Sequence, residues 1–268
     1  SGTVEFPLEE KNIIGELHGN VVEPISDIRR ELWASMDTPI DSAPLCRRVT
    51  PGSTVALVVS DMSRFWMRQD LVVPHLVDYL TQRCGVRERD ITIVIANGTH
   101  TGGDEAELRT LVTDAVYDRI TVENHNCDSD DLVYLGTTPH GTPVSINRTA
   151  ALADMVICLG AATHHVMAGF GGGRKAVMPG VAAYDSIMKN HCMTMSPVEG
   201  AGCNKACDAS LLEGNPIHQD MYESCKLLNP DFLVNTVFTP DGEISEVVAG
   251  HWYEAWQKGC KDLLAMAG

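Results

Sequence analysis

The chain has 268 residues, enough to bury a full core as one large α/β domain or two small ones. Its 36 acidic and 20 basic residues give a formal net charge of −16, a field that repels polyphosphate backbones and argues against nucleic acid as a partner. No apolar run reaches the roughly 18 residues needed to span a bilayer and no signal peptide opens the chain, so no membrane partner and a cytoplasmic location are expected.

In chain order, residues 3–24 read as an edge segment, alternating at Thr-Val-Glu-Phe-Pro before a turn-rich stretch. Ile25 to Met36 has helical spacing, with Ser26 and Asp27 as candidate caps. Thr54 to Val59 is a continuous β-branched run, as a strand covered on both faces requires, and it ends in the polar pair Ser60-Asp61. Asp70 to Cys84 predicts an amphipathic helix. Asp90 to Ala96 is a second buried strand, closed by Asn97-Gly98-Thr99-His100, and Asp104 to Val112 predicts a helix. Shorter strands are expected at Ile120–Asn124, Leu132–Leu135 and Pro143–Asn147, and a buried one from Asp154 to Leu159. Helices are expected over Val181–Asn190, from Asn215-Pro216 to Leu228, and over His251–Met266. Between the last two, Phe232–Phe238 and Glu243–Ala249 flank Thr-Pro-Asp-Gly, a hairpin signal. Alternating buried strands, polar tips and helices indicate a layered, Rossmann-like α/β domain with a mostly parallel sheet.

The chemistry concentrates after the strand that ends at Gly160. His164-His165-Val-Met-Ala-Gly-Phe-Gly-Gly-Gly-Arg174-Lys175 joins two imidazoles to a glycine-rich loop whose backbone can approach a ligand closely. Gly171, Gly172, Gly173, Arg174 and Lys175 together read as an anion cradle. Three strand tips carry polar residues: Asp61 with Arg64, then His100, then His164-His165. In an open α/β sheet such tips meet in one crevice. His100 and His165 suit general acid/base work, because imidazole titrates near neutrality. In an extended segment His164 and His165 point in opposite directions, so only one of them faces the crevice. Arg64 is a fork for a carboxylate, and Asp61 either orients it or hydrogen-bonds a substrate hydroxyl. Phe65-Trp66 either walls the pocket or packs in the core. The remaining histidines at 125, 140, 218 and 251 read as structural or solvated.

These motifs, with Pro179-Gly180, Asn190-His191 and Gly214-Asn-Pro-Ile-His-Gln-Asp220, resemble the signature of the nickel-pincer lactate racemase family, across nearly the whole chain. The resemblance implies a single N-terminal cofactor-binding and catalytic domain over 1–268, with the family's C-terminal domain absent and the isolated domain weakly active or inactive. It implies a nickel-pincer nucleotide, a nickel pyridinium-3-thioamide-5-thiocarboxylic acid mononucleotide, attached covalently to Lys175, with His191 as the protein's nickel ligand and cofactor-maturation proteins as partners. It implies racemisation or epimerisation of a small-molecule 2-hydroxy acid by hydride transfer to and from that cofactor, with His100 and His165 as the acid/base pair. The family's usual threonine before the arginine is Ser63 here, which keeps the hydroxyl.

Two other classes fit part of the pattern. A non-catalytic anion- or nucleotide-binding module, or a cofactor carrier, explains the glycines and cations but gives the histidines no reason to converge. A zinc-dependent hydrolase or lyase uses the histidines as ligands. The nine cysteines contain no C-x-x-C pair, and Cys203 and Cys207 lack further ligands at zinc spacing, so reduced thiols are expected.

Overall fold

The computed structural model describes residues 4–15 and 19–267. The strands are β1 (Val55–Ser60), β2 (Ile91–Ala96), β3 (Thr121–Asn124), β4 (Val133–Thr137), β5 (Pro143–Ile146), β6 (Met155–Ala161), β7 (His164–His165), β8 (Gly169–Phe170), β9 (Phe232–Phe238) and β10 (Ile244–Gly250). The helices are α1 (Ile28–Asp37), α2 (Leu45–Arg48), α3 (Gln69–Asp78), α4 (Glu105–Val112), α5 (Asp114–Tyr117), α6 (Arg148–Leu152), α7 (Tyr184–His191), α8 (Pro216–Leu228) and α9 (Glu254–Ala267).

Six strands form the central sheet in the order β10-β9-β6-β1-β2-β3, parallel except for β10. Their β-branched runs are buried because both faces are covered. The two-residue period sends Val55, Leu57 and Val59 of β1, with Ile91, Ile93 and Ile95 of β2, into a core shared with α1, α3 and α4. Val58, Val94 and Cys158 face the opposite core, beside Ile187 of α7, Met221 of α8 and Trp256 of α9. Strand order leaves β1 in two directions, through β2 to β3 and through β6 to β9. The carboxyl ends of β1 and β6 therefore flank the switch point, where an open α/β sheet has its crevice. The layered, Rossmann-like class read from the sequence is the fold observed.

Several local expectations need correction. Residues 4–15 and 19–24 join no strand and are mostly exposed. The open edge of β10 is met instead by Ile25, whose N–H reaches Ile244 O, and by Ile40, which bridges Gly250. The helix expected over Asp70–Cys84 stops at Asp78 and continues as a π-turn over Tyr79–Arg83. α7 begins at Tyr184 rather than Val181, because Ala182 pairs with Ile146 in extended form. α9 starts at Glu254, three residues after the expected His251. Of the two candidate caps of α1, Asp27 accepts a backbone N–H of the first turn, and Asp104 and Asn215 do the same for α4 and α8.

Candidate active site

Each strand tip is fixed by its own hydrogen bonds. Gln69 clamps Ser60 at the end of β1, accepting from its N–H at 2.8 Å and donating to its carbonyl at 3.1 Å. Beyond β2, Asn97 donates to the carbonyl of His125, and Gly98 N–H bonds Gly180 O. Beyond β6, Trp256 Nε1 donates to Gly171 O at 2.7 Å and pins the glycine loop to α9. Between these tips lies a cavity of about 350 Å³, lined by Asp61, Arg64, His100, His165, Lys175 and His191 among others. The sequence-predicted residues thus meet in one hollow, with one exception, Arg174. Trp66 also lines it, while Phe65 packs into the core, so the two aromatics after Arg64 divide the roles considered for them.

The three imidazoles are held differently. His100 Nδ1 lies 2.7 Å from Asp61 Oδ2, so the neutral ring donates there and keeps Nε2 as an acceptor. Ser63 Oγ donates to the other Asp61 oxygen at 2.9 Å and accepts from Arg64 at 3.2 Å, linking the carboxylate to the guanidinium. Asp61 thus orients His100, not Arg64 directly. His165 reverses the pattern: its Nδ1 accepts the N–H groups of Met167 and Ala168, which leaves the proton on Nε2. Burial, then the positive charges of Lys175, Arg174 and Arg64, push its pKa down to about 3, so this ring stays neutral. His191 donates Nδ1–H to Ile187 O at 3.0 Å, freeing Nε2. His164 pairs with Phe170 in the short β7–β8 ribbon, is exposed, and bonds Ser210 Oγ, in keeping with a structural role.

Arg174 and Lys175 do not act as a pair. They lie in a 3-10 turn, Gly173–Ala176, where successive side chains point about 120° apart. Lys175 lines the cavity, and Arg174 turns into the core. There its guanidinium donates to Phe170 O, Ala168 O and His218 Nδ1 and stacks 4.0 Å from the Trp256 ring centroid. The cradle's second cation is therefore a structural arginine, and the reading of Arg174 as a ligand contact is corrected. Lys175 carries the consequence. Burial, then the neighbouring Arg174 and Arg64 charges, bring its pKa down to about 7, so a large share of its amine is neutral and nucleophilic at physiological pH.

The glycine loop is shaped for close approach. Gly172 has φ +68°, and a Cβ there would stand 2.5 Å from Ala161 O and 2.6 Å from Asn235 Nδ2. Asn235, wholly buried in the middle of β9, has no partner for either amide atom among the described residues. It was missed in the sequence, although Asn235-Thr236 interrupts an otherwise apolar strand. Gly172→Ala combines left-handed strain with overlap, and we expect it to destabilise the fold by about 2–4 kcal/mol. Thermal unfolding checks this, with a substantial fall in Tm expected.

The residues present fit the group that the sequence resemblance implies. A low-pKa amine, a histidine with free Nε2 and a hollow walled by Gly171, Gly172 and Gly173 suit a lysine-tethered planar cofactor carrying a metal. Among the described residues, no group of three or more His, Cys, Asp or Glu side chains is placed to hold a metal ion alone. The described residues therefore offer no donor set for a zinc centre of protein ligands, whereas a chelating cofactor needs only one donor from the protein.

Fold and site define a doubly wound α/β domain with imidazoles and a reactive amine at its switch point. A family model described as "Lactate racemase N-terminal domain" matches residues 1–202, and the chain belongs to that family. It is 29% identical over 228 residues to a lactate racemase of Thermoanaerobacterium thermosaccharolyticum, covering 85% of this chain and 51% of the relative. It is 28% identical over 261 residues to a lactate racemase of Lactiplantibacillus plantarum, covering 96% and 59%. The structure of the lactate racemase apoprotein from T. thermosaccharolyticum superposes with a TM-score of 0.85 at 27% identity, over 97% of this chain and 60% of that one. A Thermotoga maritima protein shares the fold, with a TM-score of 0.65 at 18% identity. The chain thus spans between half and three fifths of the relatives' length. Among the described residues, no helix is long and apolar enough to cross a membrane.

Proposed function

We propose that this domain carries the racemisation of a small 2-hydroxy acid, lactate being the substrate the relatives' names indicate, with a nickel-pincer nucleotide on Lys175. The observation that carries the reading is the shared cavity: an amine with lowered pKa, a histidine with free Nε2 and an Asp-backed imidazole face one hollow. Lys175 would hold the cofactor through its Nζ, His191 would supply Nε2 to nickel, and Gly171, Gly172 and Gly173 would form the wall against which it lies. When bound, that group supplies a reversible acceptor for the hydrogen and electron pair at substrate C2.

The chain's own residues do the rest. Arg64 holds the substrate carboxylate, its guanidinium steadied by Ser63. His100 accepts the hydroxyl proton at Nε2 while Asp61 fixes the ring and stabilises the imidazolium that forms. His165 presents Nε2–H, so it first acts as a hydrogen-bond donor to the substrate oxygen; taking up a proton there requires giving up the two backbone donors at Nδ1. Trp66 helps exclude water from the hollow.

A chiral assay started from each lactate enantiomer tests this. Slow formation of the opposite enantiomer, dependent on nickel and on the cofactor, is expected; turnover that is independent of nickel and of the cofactor contradicts it. His165→Gln keeps a donor, so it should retain about 10-fold more activity than His165→Ala, whereas His100→Gln and His100→Ala should be equally impaired. Equal losses in both His165 variants would remove the donor role.

A further inference from the structure

The motif Gly214-Asn-Pro-Ile-His-Gln-Asp220 has no place in the cavity, yet it touches the segments that carry His165, Lys175 and His191. Asn215, which caps α8, donates through Nδ2 to Met167 O at 2.9 Å, two residues after His165. His218 Nδ1 accepts from Arg174 Nε at 3.0 Å, one residue before Lys175. Asp220 Oδ2 accepts from Asn190 Nδ2 at 2.8 Å, one residue before His191, and Ile217 O accepts from the same amide at 3.3 Å. The carboxylate is further satisfied by Thr138 Oγ1 and Thr142 Oγ1. Asn190, Asn215, Asp220 and Arg174 are all wholly buried.

We propose that the N-terminal end of α8 is a brace that sets the mutual spacing of His165, Lys175 and His191, through Asn215, His218 and Asp220 acting as positioning residues. This rests on the function proposed above and adds a device to it. The three segments belong to different elements: a short ribbon, a 3-10 turn and the end of α7. Loops of this kind keep no fixed distance from one another unless something common holds them. If Lys175 holds the cofactor and His191 its nickel, the two side chains would need a fixed mutual placement, and outer partners of metal-ligating histidines supply such placement. α8 is suited to this, because Asn215, His218 and Asp220 are buried on one helix, and movement of the adjoining loop would cost each of them a hydrogen bond.

The test uses protein loaded by co-expression with the cofactor-maturation proteins, and reads nickel per Lys175 adduct, with the adduct measured by intact mass. Asn190→Ala cuts the link between Asp220 and the His191 segment. The expected result is an adduct as in the parent, with nickel dissociating about 10- to 100-fold faster. Thr142→Val damages the same carboxylate without touching Asn190, and is expected to lower Tm while nickel retention stays near that of the parent. Should Asn190→Ala not fold, Asn190→Ser keeps a polar group in the space but falls short of the carboxylate, and carries the same expectation. Unchanged nickel dissociation in the folded Asn190 variant, or equal acceleration in Thr142→Val, overturns the brace. A parent protein bearing neither adduct nor nickel would instead overturn the proposed function.

Discussion

Replacing Lys175 with alanine is expected to abolish racemisation, leaving product at the uncatalysed background. Lys175→Arg should be as inactive, because a guanidinium keeps the charge but cannot form the covalent link. The loss belongs to attachment, not to folding, since Lys175 points into the cavity and its removal relieves a buried cation of unfavourable desolvation. Lys175→Ala should therefore melt at or above the parent Tm, whereas Lys175→Arg, which keeps a buried cation beside Arg64 and Arg174, should melt at or below it. The amine itself can be followed in cofactor-free protein with an amine-directed reagent. With a pKa near 7, Lys175 is mostly neutral above that pH, so labelling should reach half its maximum close to neutrality. Half-maximal labelling in the range of an ordinary lysine, near 10.4, would show that the cavity does not activate it.

His100→Ala is expected to lower kcat/KM by about 10²- to 10⁴-fold with little effect on stability, since the ring is half exposed and removes one general base. Asp61→Asn is the sharper test. The amide can donate to Nδ1, which favours the tautomer with its proton on Nε2 and so blocks proton uptake from the substrate. It also loses the charge that stabilises the imidazolium. We expect a loss comparable to that of His100→Ala, and little additional loss in the double variant, because the two groups act as a unit. Multiplying losses would separate Asp61 from His100. Chiral chromatography of lactate across a pH series reads both outcomes.

How much of this was legible in the sequence follows from what each signal reports. β1, β2 and β6 announced themselves because strands covered on both faces must be apolar along their length. Polar residues at their ends pointed to the crevice for the same reason, and His100, His165, Lys175 and His191 do line it. The edge expected over residues 3–24, of which 3 and 16–18 lie outside the described residues, is not formed by residues 4–15 and 19–24: alternation says only that one face is apolar, not that a partner edge is free. The turn at Gly173–Ala176 hid its geometry; Arg174-Lys175 reads as two cations side by side, and only the 120° step of a 3-10 turn sends one into the core. The pairing of Asp61 with His100 depends on the register of β1 against β2, which puts Ser60 beside Ala96 and brings residues 39 apart into contact. Trp256 lay in an ordinary amphipathic helix, and nothing local marked its indole as the partner of Gly171 or its face as the support for Arg174.

The central claim is that Lys175 bears a nickel-holding nucleotide. Protein isolated with nickel and the maturation proteins should show an intact mass above that of the polypeptide, an adduct mapping to the peptide containing Lys175, and about one nickel per adduct. An unmodified Lys175 in protein that nonetheless racemises lactate, or an active form carrying zinc and no adduct, would contradict it.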